Sequence, residues 1–69
     1  MVDLMKVTYD RETDSLTITL RKASIEESDE IAQDVIADFD QNGEVVGFEI
    51  LRASRLVDNA EVVEFEKSA

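Results

Sequence analysis

Oxygen-bearing side chains recur at alternate positions near the middle of this chain. Asp38, Asp40, Asn42, Gly43 and Glu49 stand at positions 1, 3, 5, 6 and 12 of the EF-hand calcium-loop pattern. Carboxylate and amide oxygens at this spacing can surround a hard cation, and the glycine permits the sharp turn that the loop needs. The pattern therefore offers a candidate calcium site.

The residues around this pattern argue against a calcium loop. An EF-hand requires a helix on each side, with large apolar residues one and four positions before the first aspartate. Those positions hold Ala37 and Asp34, whereas Phe39 falls inside the loop. Position 9, where a polar or water-bridging group is usual, is Val46. The sequence context therefore disfavours the calcium interpretation.

The same segment alternates apolar and polar residues, which is typical of β-strands. Asn42-Gly43 separates the two alternating runs, and this dipeptide favours a type I′ turn because both residues tolerate positive φ. We therefore predict a β-hairpin with a two-residue turn and positive φ at both Asn42 and Gly43. The expected cross-strand pairs are Phe39 with Val46, Ala37 with Phe48, and Val35 with Ile50.

Further carboxylates lie in the first predicted turn, where Asp10, Glu12 and Asp14 alternate. With Asp38 and Asp40 they are expected near one end of the sheet, and five carboxylates suffice for a hard divalent cation. A solvated loop that bends the chain is the more ordinary interpretation. No metal site is assigned on this basis. The candidate ligands are Asp10, Asp14, Asp38, Asp40, Asn42 and Glu49.

Other polar residues also invite a chemical interpretation. Tyr9 and Ser54 are candidates for a polar cluster, but a nucleophilic serine needs a base, and the chain has no histidine. Glu49 is expected on the face opposite Phe48 and Ile50, either half-exposed or in contact with a partner. We assign no catalytic or cofactor-binding residue, and we expect a protein that is not an enzyme and needs no cofactor.

Acidic residues outnumber basic ones by 17 to 7, and the formal net charge is −10 over 69 residues. This charge disfavours direct binding to nucleic acid, whose phosphates attract basic surfaces. It fits either a solvated surface or attraction to a basic protein partner. The chain has no cysteine, and no apolar run approaches the length of a membrane span or resembles a signal peptide. We therefore expect a cytoplasmic protein that contacts no membrane.

The elements around these residues predict a mainly β fold with a minor α component. We expect an antiparallel meander of four to five short strands and one short C-terminal helix near Ala53 to Val57. Residues 1–69 form a single domain, and residues 1–4 and 58–69 are expected to be flexible ends or an extra edge strand. A short edge strand is expected at Glu30-Ile31-Ala32, before a bend at Gln33-Asp34.

Several of these segments together resemble a known family. They are Lys6-Val7-Thr8-Tyr9-Asp10, Asp14-Ser15-Leu16, the block Gly43-Glu44-Val45-Val46-Gly47-Phe48-Glu49-Ile50, and Ala53-Ser54. The succession resembles the small prokaryotic family known as domain of unknown function 2283, over about residues 5 to 57. The chain differs from the usual family pattern at Ala37, which is often a larger aliphatic residue, and at Gln33-Asp34, which is often Pro-Gly. The resemblance implies a small β-rich protein without an assigned activity. Some relatives are encoded beside small ribonuclease-like proteins, so it also allows an antitoxin-type role.

Two functions of different classes follow. The first is a non-catalytic protein-interaction module, expected to be a homodimer because a chain this short buries little surface by itself. The second is a divalent-metal-binding protein that uses the turn carboxylates. The dimer would form through an edge strand or through one apolar face of the sheet. That face comprises Val7, Tyr9, Leu16, Ile18, Leu20, Val35, Ala37, Phe39, Val46, Phe48 and Ile50.

Overall fold

Five antiparallel strands form one sheet in the computed structural model, which describes residues 5–62. Alternating apolar and polar residues favour the strands, and polar turns keep each of them to five or six residues. One short helix follows the last strand, so the predicted mainly β fold is confirmed. The elements are β1 (Lys6–Asp10), β2 (Ser15–Thr19), β3 (Glu27–Ala32), β4 (Val35–Phe39), β5 (Val45–Ile50) and α1 (Ala53–Leu56).

The strands lie in the order β1-β2-β5-β4-β3. β5 is therefore central, and it pairs with β2 on one side and with β4 on the other. Residues 20–26 carry the chain from β2 to the far edge of the sheet, where β3 pairs with β4. The edge strand expected at Glu30-Ile31-Ala32 is thus confirmed in its position. The observed strand is longer and begins at Glu27, because the acidic residues before Ile31 also pair with β4.

The register assigns most apolar side chains to one face of the sheet. Leu16 and Ala37 are buried there, and the other members are half-buried. We call this the apolar face; it comprises Val7, Tyr9, Leu16, Ile18, Val35, Ala37, Phe39, Phe48 and Ile50. The opposite face, the polar face, carries Thr17, Thr19, Ser28, Ile36, Asp38, Gly47 and Glu49.

The central hairpin is present, and two of its three predicted pairs are correct. Val35 pairs with Ile50 and Ala37 pairs with Phe48. The third prediction is wrong because the register shifts next to Phe39, which pairs with Val45 instead of Val46. The shift leaves Val46 as an extra residue in β5, the hallmark of a β-bulge.

The turn of this hairpin also differs from the prediction. Gly43 has a φ of 78°, but Asn42 is not among the residues with positive φ. The Gly43 N–H donates to the Asp40 carbonyl at 3.0 Å, and the Asp40 N–H donates to the Glu44 carbonyl at 2.9 Å. This pattern is a three-residue loop, in which only the last residue needs a left-handed conformation. Because strands flank Gly43, the EF-hand interpretation of this segment is wrong.

The helix α1 is only four residues long, about 6 Å, and it therefore covers little of the sheet. Its first residue, Ala53, is fully buried. The predicted helix at Ala53 to Val57 is confirmed to within one residue. Beyond it the chain turns, with the Val62 N–H donating to the Asn59 carbonyl at 3.2 Å. The edge strand predicted around Val63 and Phe65 lies outside the described residues, as do residues 1–4.

Within residues 5–62, no helix combines the length and the apolar character that crossing a membrane requires.

Candidate functional site

Two polar clusters lie at different places on the sheet, and the first is on the polar face. Asp38 of β4 pairs with Gly47, and Glu49 of β5 pairs with Ile36, so the two acidic residues are diagonal neighbours. Asp38 is only 3% exposed and Glu49 is half-buried. The Ser28 hydroxyl of β3 donates to Asp38 Oδ1 at 2.6 Å. Three strands thus contribute to one partly buried polar cluster.

The side chains of Asp38 and Glu49 are close enough to interact on this face. Hydrogen bonding to Asp38, followed by partial burial and the charge of Asp38, raises the pKa of Glu49 above its ordinary value. A carboxyl pair of this kind can hold a proton or accept hydrogen bonds from a cation. Glu49 is half-exposed, in agreement with the first of the two alternatives expected from the sequence.

A cleft opens beside this carboxyl pair. Its floor includes Thr17, Thr19 and Gly47, and the segment 21–25 forms its rim. Gly47 is required there for a steric reason, since a Cβ at that position would lie 2.3 Å from the Ile18 carbonyl oxygen. The close approach of β2 and β5 therefore depends on a residue without a side chain.

The second cluster connects the first turn of the chain to the helix. The Tyr9 hydroxyl donates to Asp14 Oδ1 at 2.5 Å, and the Ser54 hydroxyl donates to Asp14 Oδ2 at 2.6 Å. The backbone N–H of Ser54 also donates to Asp14, at 3.1 Å, and the N–H of Ala53 donates to the Asp14 carbonyl at 2.8 Å. The predicted polar cluster of Tyr9 and Ser54 therefore exists, with Asp14 at its centre.

The hydrogen bonds of this cluster shift the pKa values of Asp14 and Tyr9. Hydrogen bonds from Ser54 and then from Tyr9 hold the pKa of Asp14 below its ordinary value. The hydrogen bond to Asp14, followed by burial, raises the pKa of Tyr9. Asp14 has a φ of 55°, a conformation that aspartate tolerates better than most residues. The cluster satisfies the first N–H groups of α1, and this supports a structural role.

Two ion pairs hold the other turns. Arg52 binds Asp34 through two parallel hydrogen bonds of 2.9 and 2.6 Å, and it joins the β5–α1 connection to the β3–β4 turn. Arg21 forms an ion pair with Asp40 at the opposite end of the sheet. Asp40 Oδ1 also accepts the N–H groups of Asn42 and Glu44, at 2.9 and 3.0 Å. Hydrogen bonds from Arg21 and then Glu44 keep the pKa of Asp40 low.

The predicted gathering of five carboxylates is wrong. Because β2 and β5 are antiparallel, Leu16 pairs with Ile50 and Thr19 pairs with Gly47. The turn that holds Asp10, Glu12 and Asp14 therefore lies at the end of the sheet opposite the β4–β5 turn of Asp40.

The remaining candidate ligands are also spread over the sheet. Asp38 and Glu49 lie together on the polar face, whereas the exposed Asn42 belongs to the loop that Asp40 organises. Within residues 5–62, no three acidic side chains converge as a cation would require. The metal affinity of the chain stays a prediction to be tested.

The role of Asp14 and the adjacency of Asp38 and Glu49 were missed at the sequence level. The adjacency was within reach, because pairing Ala37 with Phe48 puts Asp38 diagonally opposite Glu49. Asp14 and Ser54 are 40 residues apart, and no local pattern brings them together.

The comparisons with known proteins agree with the resemblance seen in the sequence. The family model described as "Protein of unknown function (DUF2283)" matches residues 6–54. An uncharacterized protein of Methanocaldococcus jannaschii, MJ0789, is 42% identical over 52 residues, which cover 75% of this chain and 44% of that relative. The chain thus spans less than half the length of this curated relative. No solved structure matches the chain significantly.

Proposed function

This chain belongs to the family of proteins of unknown function DUF2283, and from that premise we propose that it is a non-catalytic protein-interaction module that forms a homodimer. The observation that carries the proposal is the small size of the core. Among the described residues, the buried apolar side chains are Leu16, Ala37, Val46 and Ala53. Two of these four are alanines, which contribute little buried area.

Large apolar side chains are instead exposed in this protein. The exposed fractions run from 39% for Leu51 to 64% for Val62. Such surface stabilises a protein when another molecule covers it. The exposed set comprises Met5, Leu20, Ile25, Ile31, Leu51, Leu56 and Val62.

A second copy of the chain is the proposed cover of the apolar face on β1, β2 and β5, which leaves Phe39 of β4 accessible from the edge of β3. Seven of the nine members of that face are half-buried, and α1 is too short to shield strands of five or six residues. The net charge of −10 opposes association. At physiological salt, however, the Debye length is only about 8 Å, so carboxylates spread over outer surfaces repel each other weakly. Burial of the apolar face then dominates.

A basic protein is the proposed second partner. The acidic surface attracts such a partner over long distances and speeds its association. A small ribonuclease-type toxin would be one example, in line with the antitoxin-type role that the family resemblance allows. Identification of the proteins that co-purify with the chain from its host would test this part of the proposal.

The mass of the protein in solution tests the dimer. Sedimentation equilibrium at 10 to 100 µM protein, about the range where moderate dimers populate, and at 0.15 M salt should return twice 7.8 kDa. Val7→Glu, on the apolar face of β1, should shift the mass to that of a single chain. Thr8→Glu adds the same charge to the opposite face of the same strand and should leave the dimer intact. A single-chain mass with cooperative unfolding for the unaltered protein would overturn the dimer.

A further inference from the structure

In the described part of the chain, residues 5–62, the outer edge of β3 is open. β3 pairs with β4 on one side, and within residues 5–62 no strand pairs with its other side. All six residues from Glu27 to Ala32 are exposed. In an antiparallel ladder, alternate backbone N–H and C=O groups of an edge strand point away from the sheet, where they can accept a further strand.

The C-terminal segment of the described chain lies near the other edge. Arg11, which follows β1, forms an ion pair with Glu61 at 3.2 Å. Four inter-strand spacings separate β1 from β3, which corresponds to about 19 Å. The segment that reaches Glu61 therefore approaches β1, at the edge of the sheet opposite β3.

This edge carries a dense negative charge, and among its carboxylates Glu30 lies near Arg52, whose pKa its charge helps to raise. Glu26, Glu27, Asp29 and Glu30 lie within five positions, and the sequence has no lysine or arginine from Ala23 to Leu51. The ion pairs of the described residues join Arg11 to Glu61, Arg21 to Asp40 and Arg52 to Asp34, and none includes a carboxylate of β3.

The charge on β3 selects against a second copy of the chain at this edge. If two β3 strands paired across a two-fold axis, their acidic side chains would lie opposite or diagonal to one another. Like charges at these distances are destabilising. An extended segment that carries lysine or arginine has the opposite charge, so each cross-strand contact becomes favourable.

A depression beside the edge fits a long cationic side chain. It is lined by Glu27, Ser28, Asp29, Phe39 and Gly43, with a volume of about 390 Å³. The register puts Glu27 next to Phe39, and Asp29 two residues along the same face. An arginine can lay its aliphatic stem or its guanidinium plane on an aromatic ring while its nitrogens reach neighbouring carboxylates.

We propose that the outer edge of β3 binds an extended cationic segment of a partner protein by strand addition, with an arginine over Phe39 between Glu27 and Asp29. This inference rests on the proposed interaction function and names the kind of partner that this edge accepts. The backbone of β3 supplies hydrogen bonds that are independent of the partner's sequence, and the carboxylates supply the preference for basic residues. Ile31, at the bulge of β3 and 56% exposed, ends the regular pairing.

The probe is a capped seven-residue peptide in which arginine alternates with valine, added to the isotopically labelled full chain and followed by NMR. We expect saturable binding, chemical-shift changes in β3, and slower hydrogen exchange of the outward N–H groups of Glu27 to Ala32. The double variant Glu27→Lys with Asp29→Lys should weaken binding at least tenfold. Both positions are exposed, so the variant is expected to fold.

Two controls separate strand addition from general attraction between charges. Glu12→Lys with Glu44→Lys changes the net charge equally at exposed turn positions and should alter the affinity less than threefold. The same peptide with alternate backbone nitrogens methylated keeps its charge but cannot complete the ladder, and it should bind at least tenfold more weakly. Three outcomes would each overturn strand addition. They are equal binding of the methylated peptide, chemical-shift changes away from β3, and no binding at 1 mM peptide, which corresponds to a binding free energy of about 4 kcal/mol or less. Sedimentation equilibrium of the unaltered protein, measured without the peptide, tells separately whether the proposed dimer fails.

Discussion

Asp38 of β4 and Glu49 of β5 are diagonal neighbours on the polar face of the sheet. The Ser28 hydroxyl donates a hydrogen bond to Asp38 from the edge strand β3. Asp38 is almost fully buried, and two ionised carboxylates at this position would repel each other. The contribution of Glu49 to stability therefore depends on pH.

The first prediction concerns the pH dependence of stability. Because the pKa of Glu49 is raised in the folded protein, the folded state holds its proton more tightly than the unfolded state does. The stabilisation is complete below the ordinary glutamate pKa, and it is lost as the pH rises through the folded pKa. Glu49→Gln keeps a hydrogen-bond donor toward Asp38 without the titration. We expect its Tm at pH 7.5 to exceed that of the unaltered protein by roughly 3 °C.

Thermal unfolding at pH 5 and pH 7.5 measures this difference, and the gain should shrink at the lower pH. Glu44→Gln is the matched control, because Glu44 is an exposed residue of the β4–β5 loop. An equal rise in Tm at both pH values, or an equal rise in the control, would rule out the titration of Glu49 as the cause.

The second prediction concerns divalent metals. The carboxylates proposed as ligands lie at opposite ends of the sheet or bond to Arg21, Tyr9 and Ser54. Calcium, magnesium and manganese should therefore bind no tighter than about millimolar. Isothermal titration calorimetry at 0.15 M salt measures this directly. Micromolar affinity for any of the three cations would establish a metal site and contradict the prediction.

The third prediction compares two glycines with different constraints. Gly47→Ala should lower the free energy of unfolding by about 3 kcal/mol, because its Cβ would lie 2.3 Å from the Ile18 carbonyl oxygen. Gly43→Ala should cost about 1 kcal/mol, because its φ is 78° but no atom outside its chain neighbours lies within 4 Å of the new Cβ. Gly43→Val should cost more than Gly43→Ala, since a β-branched side chain resists this conformation. Urea unfolding measures all three, and equal losses at the two positions would contradict the close approach of β2 and β5.

The hairpin illustrates how much of the fold the sequence predicts. Alternation and the turn dipeptide were sufficient for the pairs of Val35 with Ile50 and of Ala37 with Phe48. Alternation and the turn dipeptide did not predict the bulge at Val46, because a bulge depends on how β5 fits against two neighbouring strands at once. Asp40 also altered the loop by accepting two backbone N–H groups, and this favoured a three-residue loop over the predicted two-residue turn.

The pairing of strands that are distant in sequence could not be predicted. The family resemblance and the strand patterns gave the β elements, but pairing of β2 with β5 depends on packing between residues some 30 positions apart. That pairing separates the acidic turns that were expected near one end of the sheet. It also brings Asp14 to Ser54, so the centre of the second polar cluster emerged only from the structure.

The last prediction concerns Asp14, which joins the first turn to the helix. Its carboxylate accepts hydrogen bonds from Tyr9 and from both the hydroxyl and the backbone N–H of Ser54. Asp14→Ala removes these bonds and forces alanine to a φ of 55°, so we expect the Tm to fall by about 5 to 10 °C. Asp14→Asn retains one acceptor oxygen and tolerates this backbone conformation, and it should lose about half as much.

The pH dependence of the Tm distinguishes the effect of the Asp14 charge from that of its backbone conformation. Because its folded pKa is lowered, Asp14 stabilises the protein above the ordinary aspartate pKa, and this stabilisation is lost as the pH falls through the folded pKa. Between pH 5 and pH 3 the Tm of Asp14→Asn should therefore fall less than that of the unaltered protein. Ser54→Ala removes only one donor and should give an intermediate slope. Parallel pH profiles for all three proteins would mean that Asp14 acts through its backbone conformation alone, since its carboxylate would then contribute nothing that titrates.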